Sequence, residues 1–247
     1  MTRRLRPRLL LPALATAAAM LALAVALAAD SKAPPDRRIS SYAHMNPENK
    51  AMQDDDTSNP AMLWALEGET LWQRKAGAAK RACADCHGAP EKAMAGVAAR
   101  YPAIDAQTGA VINLEGRINL CRTRHQKADP FGYETRPLLA LTTLIARQSR
   151  GQPITIDARA LSKSISRGEA AFRRRQGQLN LACAQCHDDH WGKSLAGIPI
   201  PQAHPTGYPL YRLEWQAIGS LQRRLRNCMI GMRAEPYAYG APEYVAL

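Results

Sequence analysis

Two pentapeptides with the same pattern lie 100 residues apart in this chain. Residues 83–87 read Cys-Ala-Asp-Cys-His, and residues 183–187 read Cys-Ala-Gln-Cys-His. Both are C-x-x-C-H, in which two thiols add to the vinyl groups of a haem and the histidine becomes the proximal iron ligand. The sequence therefore predicts two covalently attached haem c groups. The predicted attachment residues and proximal ligands are Cys83, Cys86, His87, Cys183, Cys186 and His187.

The similarity between the two halves extends beyond these pentapeptides. A Gly-Glu pair stands 15 residues before the first cysteine of each pattern, at Gly68-Glu69 and at Gly168-Glu169. Each pair lies in a stretch whose apolar residues have helical spacing. A further helix is predicted from Pro137 to about Gln148, and its counterpart begins at Pro242, where the sequence stops shortly afterwards. We expect a mostly helical, all-α fold of tandem duplicated cytochrome c-like domains, each with one covalent haem.

Four parts of the chain are predicted. Residues 1–29 are expected to be a cleaved signal peptide, because four arginines precede an apolar run that ends in small residues. The same run also fits a membrane anchor, but the small and polar residues that follow favour cleavage and a periplasmic protein without stable membrane insertion. Residues 30–62 form an N-terminal extension, 63–152 the first domain and 153–247 the second, with a Gly/Pro break between the domains.

The net charge restricts the class of partner. The formal charge of the chain is +12, and removal of residues 1–29 with their four arginines leaves +8. An exported protein does not meet nucleic acid, so the excess charge indicates anionic small molecules, acidic proteins or cofactor carboxylates, or simply a solvated basic surface.

Two cysteines remain outside the haem-attachment patterns. Cys121 follows Arg117 by four positions, and Cys228 follows Arg224 by four positions. Each thiol is a candidate distal iron ligand, one half of a Cys121–Cys228 disulfide, or a buried side chain without a role. The duplication favours ligation, since equivalent positions in two domains generally lie apart while each lies near its own cofactor. An arginine one helical turn away also favours the thiolate form of the sulfur.

The distal ligand influences function because it sets the haem potential. Methionine raises the potential, whereas a thiolate pushes electron density onto the iron and favours the ferric state. His/Cys haems therefore indicate more than a plain electron carrier. The competing distal ligands are Met94, His125, His204, Met229 and Met232, while His190 is too close in sequence to His187 to reach the opposite face of the same haem.

The chain resembles the SoxA family of dihaem cytochromes along nearly all of its exported length. The resemblance is carried by MQDDDTSNPAMLW, ACADCHG, RINLCR and LLALTTLIARQSRG in the first half. In the second half it is carried by ACAQCH, GYPLYRLEWQAIGSLQRRLRNC and, after it, RAEPY. LQRRLRNC and RAEPY are far more specific than C-x-x-C-H alone.

The resemblance implies specific roles for the residues. It implies His/Cys ligation of both haems, with Cys121 and Cys228 as distal ligands. It also implies that Cys228 is catalytic and often a persulfide, that Arg224 binds substrate, and that the first haem is not needed for turnover. The implied reaction is the oxidative conjugation of thiosulfate to a cysteine of the carrier SoxYZ, with SoxX as the smaller cytochrome partner. Two alternatives remain: a dihaem thiosulfate dehydrogenase that forms tetrathionate, and a non-catalytic dihaem electron carrier.

Overall fold

The computed structural model describes residues 38–247, which form ten α-helices and three two-stranded antiparallel hairpins. The helices are α1 (Pro47–Asp54), α2 (Ala61–Gln73), α3 (Ala84–His87), α4 (Pro90–Ala93), α5 (Leu114–Cys121), α6 (Arg136–Arg147), α7 (Ser162–Arg173), α8 (Cys183–His187), α9 (Leu221–Gly231) and α10 (Pro242–Ala246). The strands are β1 (Ala103–Ile104), β2 (Val111–Ile112), β3 (Ser194–Leu195), β4 (Ile198–Pro199), β5 (Leu210–Arg212) and β6 (Ala217–Gly219), paired in that order. Short 3-10 turns lie at Ser41–His44 and Ala98–Arg100. The fold is mostly helical, as predicted, and the hairpins are additions that no sequence pattern indicated.

The predicted signal peptide lies outside the described residues, as does the first part of the predicted extension. Within residues 38–247, no helix combines the length and the apolar character needed to cross a bilayer. The described part of the extension contacts both halves of the chain. Asp56 forms ion pairs with Arg147, the last residue of α6, at 3.0 Å and with Arg150, just after α6, at 2.6 Å. The Ile39 amide donates a hydrogen bond to the Gln202 side chain of the second half at 2.7 Å.

The core of the first half is built on the contact between α2 and α6. Gly68 on α2 makes this contact possible, because a methyl group at that position would collide with the backbone of Ala140 and the side chain of Leu144 on α6. The two helices therefore approach each other at backbone distance. The buried apolar residues around this contact are Trp72, Met94, Leu114, Ile118, Leu138, Leu141, Leu144 and Ile145.

The second half repeats this arrangement in a smaller form. Gly168 on α7 lies against the backbone of Ala246 on α10, so α10 occupies the position that α6 has in the first half. The buried apolar cluster here consists of Met229, Met232, Ala234 and Tyr244. The two glycines that stand at matching positions in the sequence thus have the same physical role, which supports the predicted duplication.

The two halves pack against each other through the segment that leads into α9. Ile218 on β6 is fully buried against Trp64 and Leu139 of the first half. The rings of Tyr133 and Tyr239 are stacked, with centroids 6.4 Å apart. These contacts hold the start of α9 in a defined position relative to the first half.

We expect Gly68→Ala to destabilise the protein by about 1–3 kcal/mol, because the added methyl would force α2 and α6 apart. The measurement is denaturant unfolding of the haem-loaded protein. Gly231→Ala is the matched control, since a methyl at this helical glycine meets no atom within 4 Å. Equal stability of the two variants would contradict the close-packing role of Gly68.

Candidate functional site

The first C-x-x-C-H pattern forms a single turn of helix at α3. The Asp85 carboxylate caps this turn by accepting a hydrogen bond from the Ala82 amide at 2.8 Å. The Trp72 ring lies beside His87, with centroids 5.8 Å apart, and its indole N–H donates to the Gly88 carbonyl at 2.8 Å. A cavity of about 310 Å³ opens next to Cys83. Its wall includes Leu71, Arg74, Arg122, Phe131 and Leu141.

The second pattern forms the equivalent turn at α8. Here the Gln185 side chain accepts a hydrogen bond from the Ala182 amide at 2.9 Å, and the Phe172 ring takes the place of Trp72, 6.4 Å from the ring of His187. His187 Nδ1 donates to the Pro201 carbonyl at 2.7 Å. This bond keeps the proton on Nδ1 and leaves the lone pair on Nε2, which is the form of histidine that binds a metal.

These two turns fit covalent haem c by the chemistry of their donors. Each provides two free thiols and one imidazole on a single helical turn. An aromatic ring lies beside each histidine, and in the second turn the carbonyl contact sets the tautomer that ligation needs.

Cys121 is the last residue of α5, and the fold brings it to the first C-x-x-C-H turn. The charge of the Cys121 sulfur affects the pKa of the Cys83 thiol, and the charge of Cys86 affects the pKa of the Cys121 thiol. The three sulfurs therefore lie near one another. Burial raises the pKa of the Cys121 thiol, while Arg117 and Arg124 favour the thiolate and oppose that rise. Burial has a stronger effect on the pKa of the Cys121 thiol than the two arginines have.

Cys228 has the corresponding place in the second half, on α9. Burial raises the pKa of the Cys183 thiol, and the nearby Cys228 raises it further. Arg224 precedes Cys228 by one helical turn on α9, as predicted from the sequence. All six cysteines lie among the described residues and are free, so Cys121 and Cys228 form no disulfide. Each of the two sulfurs lies instead beside its own haem-attachment turn.

The competing distal ligands lie in other settings. Met94, Met229 and Met232 are buried in the apolar clusters of the two halves, and Met229 Sδ accepts a hydrogen bond from the Tyr244 hydroxyl at 3.3 Å. His125 is exposed in the π-helical turn Arg122–Gln126 that follows α5. His204 lies 3.3 Å from the Gln202 side chain, and His190 Nδ1 donates to the Gln185 carbonyl. The three methionines and the two other histidines thus have packing or hydrogen-bonding roles, whereas His125 is exposed to solvent.

The end of the chain holds α9 in place. Ser220 caps the helix by accepting a hydrogen bond from the Arg223 amide at 3.2 Å. Arg226 donates to the Tyr237 carbonyl, and its guanidinium lies over the Tyr239 ring, 4.6 Å from the centroid. Tyr237 is the last residue of the RAEPY segment, so this segment positions the helix that carries Cys228 and Arg224.

An ion cluster that no sequence pattern indicated lies beside Cys121. Asp105 is 1% exposed, and both of its oxygens accept hydrogen bonds from Arg124, at 2.8 and 2.7 Å. Arg117 lies 3.2 Å from the same carboxylate and also donates to the Tyr101 hydroxyl at 3.2 Å. Arg124 is the main reason that the pKa of Asp105 is held far below its usual range. Arg117, predicted as a companion of Cys121, is therefore also committed to a buried acid.

Tyr208, which lies near Cys228, was also not among the site residues predicted from the sequence. Burial raises the pKa of Tyr208, and the charges of Arg224, Arg212 and Cys228 act on its hydroxyl. A signal for this residue was present in the sequence, because Tyr101 and Tyr208 each stand 20 residues before the lone cysteine of their half and each precede a proline.

Comparison with known proteins places this architecture in a family. A family model described as the SoxA/TsdA cytochrome c domain matches residues 67–154 and 167–247. The L-cysteine S-thiosulfotransferase subunit SoxA of Rhodovulum sulfidophilum is 34% identical over 213 residues, which are 86% of this chain and 74% of the relative. The subunit of the same name from Pseudaminobacter salicylatoxidans is 33% identical over 216 residues, 87% of this chain and 76% of the relative.

A solved structure agrees with this assignment. The crystal structure of SoxXA from P. pantotrophus contains a chain that matches with a TM-score of 0.81 and 29% identity, over 85% of this chain and 80% of that chain. The matched domain is a cytochrome c domain, the kind of domain that binds haem c covalently. The chain therefore belongs to the SoxA family of haem-dependent enzyme subunits and is built from tandem cytochrome c-like domains.

Proposed function

We propose that this chain catalyses the oxidative conjugation of thiosulfate to a cysteine of a carrier protein of the SoxYZ type. The observation that carries the proposal is the position of Cys228, which lies beside its own C-x-x-C-H turn and one helical turn after Arg224. A sulfur with a cationic neighbour next to a redox cofactor is suited to oxidative sulfur chemistry on an anion. The names of the relatives, L-cysteine S-thiosulfotransferase subunits, support the same activity.

The proposed cofactors are two haem c groups, one in each of the predicted domains 63–152 and 153–247. When bound, haem c supplies a one-electron acceptor next to each distal sulfur. The covalent attachment residues would be Cys83, Cys86, Cys183 and Cys186, and the residues that would bind the iron are His87, Cys121, His187 and Cys228.

The chain's own residues would bind and position the substrate. Thiosulfate is a dianion, and Arg224 would hold its sulfonate end so that the outer sulfur faces Cys228. The Cys228 thiolate and the outer sulfur then join in a sulfur–sulfur bond, and two electrons leave for the cytochrome c partner. The carrier thiolate next attacks the sulfur bonded to Cys228. The thiosulfonate group moves to the carrier, and Cys228 departs as a thiolate.

The proposed partners and location follow from the relatives and the N-terminal sequence. The matching crystal structure is that of a SoxXA protein, which supports a smaller SoxX-type cytochrome as the electron acceptor. The basic signal-like residues 1–29 support export to the periplasm, where thiosulfate and the carrier would be met.

We expect Cys228→Ala to abolish conjugation of thiosulfate to the carrier while both haems stay attached. Loss of a nucleophile removes the covalent step and leaves the attachment cysteines intact. The measurement is the mass gain of the carrier, made alongside haem content. The matched control is Cys121→Ala, which alters the equivalent sulfur of the other half and should retain conjugation. Normal carrier labelling by the Cys228→Ala variant would refute the assignment.

We expect Arg224→Gln to raise the KM for thiosulfate by about 10-fold or more, because a hydrogen bond from a charged donor to an anion is lost. Steady-state kinetics with the carrier in excess would measure this change. Arg117→Gln is the control at the matching position and should leave the KM unchanged, since Arg117 is bound to Asp105. Unchanged kinetics in the Arg224 variant would mean that Arg224 does not bind thiosulfate and belongs to the solvated basic surface.

We expect EPR spectra of the ferric protein to show two thiolate-ligated low-spin haems. Cys121→Ala should remove one signal and Cys228→Ala the other, because each sulfur lies beside a different attachment turn. A spectrum of His/Met type would favour the electron-carrier alternative. Tetrathionate formation without any carrier would favour the thiosulfate dehydrogenase alternative.

A further inference from the structure

The segment that leads to the lone cysteine occurs in both halves. Its elements have the same spacing along the sequence, and its two strands pair in the same register. In the first half it contains the cis Tyr101-Pro102 bond, the β1–β2 hairpin and α5; in the second it contains the cis Tyr208-Pro209 bond, the β5–β6 hairpin and α9. Ala103 pairs with Ile112 in the first hairpin, and Leu210 pairs with Gly219 in the second. The two segments can therefore be compared residue by residue.

One position has reversed its charge between the two segments. Asp105 follows β1 directly, and its amide donates a hydrogen bond to the Ala110 carbonyl. In the second hairpin the corresponding pair is Arg212 with Ala217, so Arg212 occupies the place of Asp105. The place of Arg124, the bidentate partner of Asp105, is taken by Gly231. The buried acid and one of its two arginines are thus both missing from the second half.

This reversal leaves the second site without a buried acid beside its arginine. In the first half, the buried Asp105 carboxylate pairs with both Arg117 and Arg124 and offsets one of their two positive charges. None of the ion pairs among residues 38–247 involves Arg224. Within the same residues, the acidic partner of Arg212 is Glu214, whose two oxygens accept hydrogen bonds from it at 2.9 Å each. The Glu214 side chain is 53% exposed, so solvent screens this pair more than it screens the buried Asp105. The Arg212 guanidinium also lies over the Trp215 ring, 5.1 Å from its centroid.

Tyr208 lies near both arginines. The charges of Arg224, Arg212 and Cys228 act on its hydroxyl. In the first half the equivalent hydroxyl, that of Tyr101, accepts a hydrogen bond from Arg117 at 3.2 Å. The matching register of the two hairpins places Arg212, Arg224 and Tyr208 where the first half has Asp105, Arg117 and Tyr101, of which Arg117 contacts the other two at 3.2 Å each. Two guanidinium groups and a phenol are a donor set suited to the three oxygens of a sulfonate.

We propose that Arg212 and Tyr208 complete, with Arg224, the binding site for the sulfonate end of thiosulfate. This inference rests on the proposed function and extends it to two further residues. The charge reversal also explains why only one of the two duplicated sulfurs would be catalytic. In the first half the buried carboxylate of Asp105 occupies the arginine donors that would bind a dianion.

We expect Arg212→Gln to raise the KM for thiosulfate by about 10-fold to 100-fold, with a smaller effect on kcat, because an anion contact is lost. Arg212→Lys should recover part of the loss, and Tyr208→Phe should raise the KM by a smaller factor. Arg223→Gln is the control of equal charge change, because Arg223 lies over the same Trp215 ring as Arg212, at 4.3 Å against 5.1 Å from its centroid, so both variants lose this ring contact. The Arg223 variant should keep the wild-type KM.

A gain-of-affinity variant separates this role from a merely structural one. Glu214→Gln removes the carboxylate that competes for Arg212 and should lower the KM for thiosulfate, an effect that misfolding would not produce. Arg212→Asp, which installs the residue type of the first half, should have the largest loss. The inference is overturned if the wild-type protein labels the carrier and the Arg212→Gln and Arg223→Gln variants share its KM.

A binding measurement separates this inference from the proposed function. Calorimetric titration of the ferric holoprotein with thiosulfate, without carrier, should give a weaker Kd for Arg212→Gln than for Arg223→Gln. If the wild-type protein fails to label a carrier but shows this difference in Kd, the proposed reaction is wrong and the anion site stands. If the wild-type protein labels the carrier and the Kd values are equal, the anion site is wrong and the reaction stands.

Discussion

The position of one additional sulfur next to each C-x-x-C-H turn is the constraint on which the rest of the structure depends. Cys121 and Cys228 reach these turns because each lies on a helix whose start is capped, by Asn113 in α5 and by Ser220 in α9. A hairpin precedes each cap and sets the direction of the helix. The capping residue thus decides where the helix begins and, eight residues later in both halves, where the sulfur lies.

The two halves use the same backbone to build different electrostatic environments. A charge that is 1% exposed needs charged partners, and Asp105 has two arginines. In the second half, Arg212 replaces this acid and has a solvent-exposed partner. The first site is consequently a closed ion cluster, while the second has Arg212 and Arg224 at the matching positions and an exposed acid as the partner of Arg212. This charge reversal distinguishes the proposed catalytic site from its counterpart in the first half.

Contacts between the halves support the second site as well. The second half has a smaller apolar cluster, and its hairpin β5–β6 completes its packing on Trp64 and Leu139 of the first half. The stacked pair Tyr133 and Tyr239 joins the first half to the segment that contacts Arg226 on α9. The first half therefore acts as a scaffold for α9, a role that does not depend on electron transfer.

Much of this molecule follows from short-range patterns in the sequence. The two C-x-x-C-H turns, the glycine pair, the helix at Pro137 and the arginine one turn before each lone cysteine were all predicted, because covalent chemistry and helical spacing are encoded within a few residues. The sequence alone did not show that Asp105 meets Arg117 and Arg124, or that Tyr208 lies near Arg212, Arg224 and Cys228. Those relations were decided by the tertiary structure, because charge neutralisation depends on which distant side chains the packing of hairpins and helices brings together.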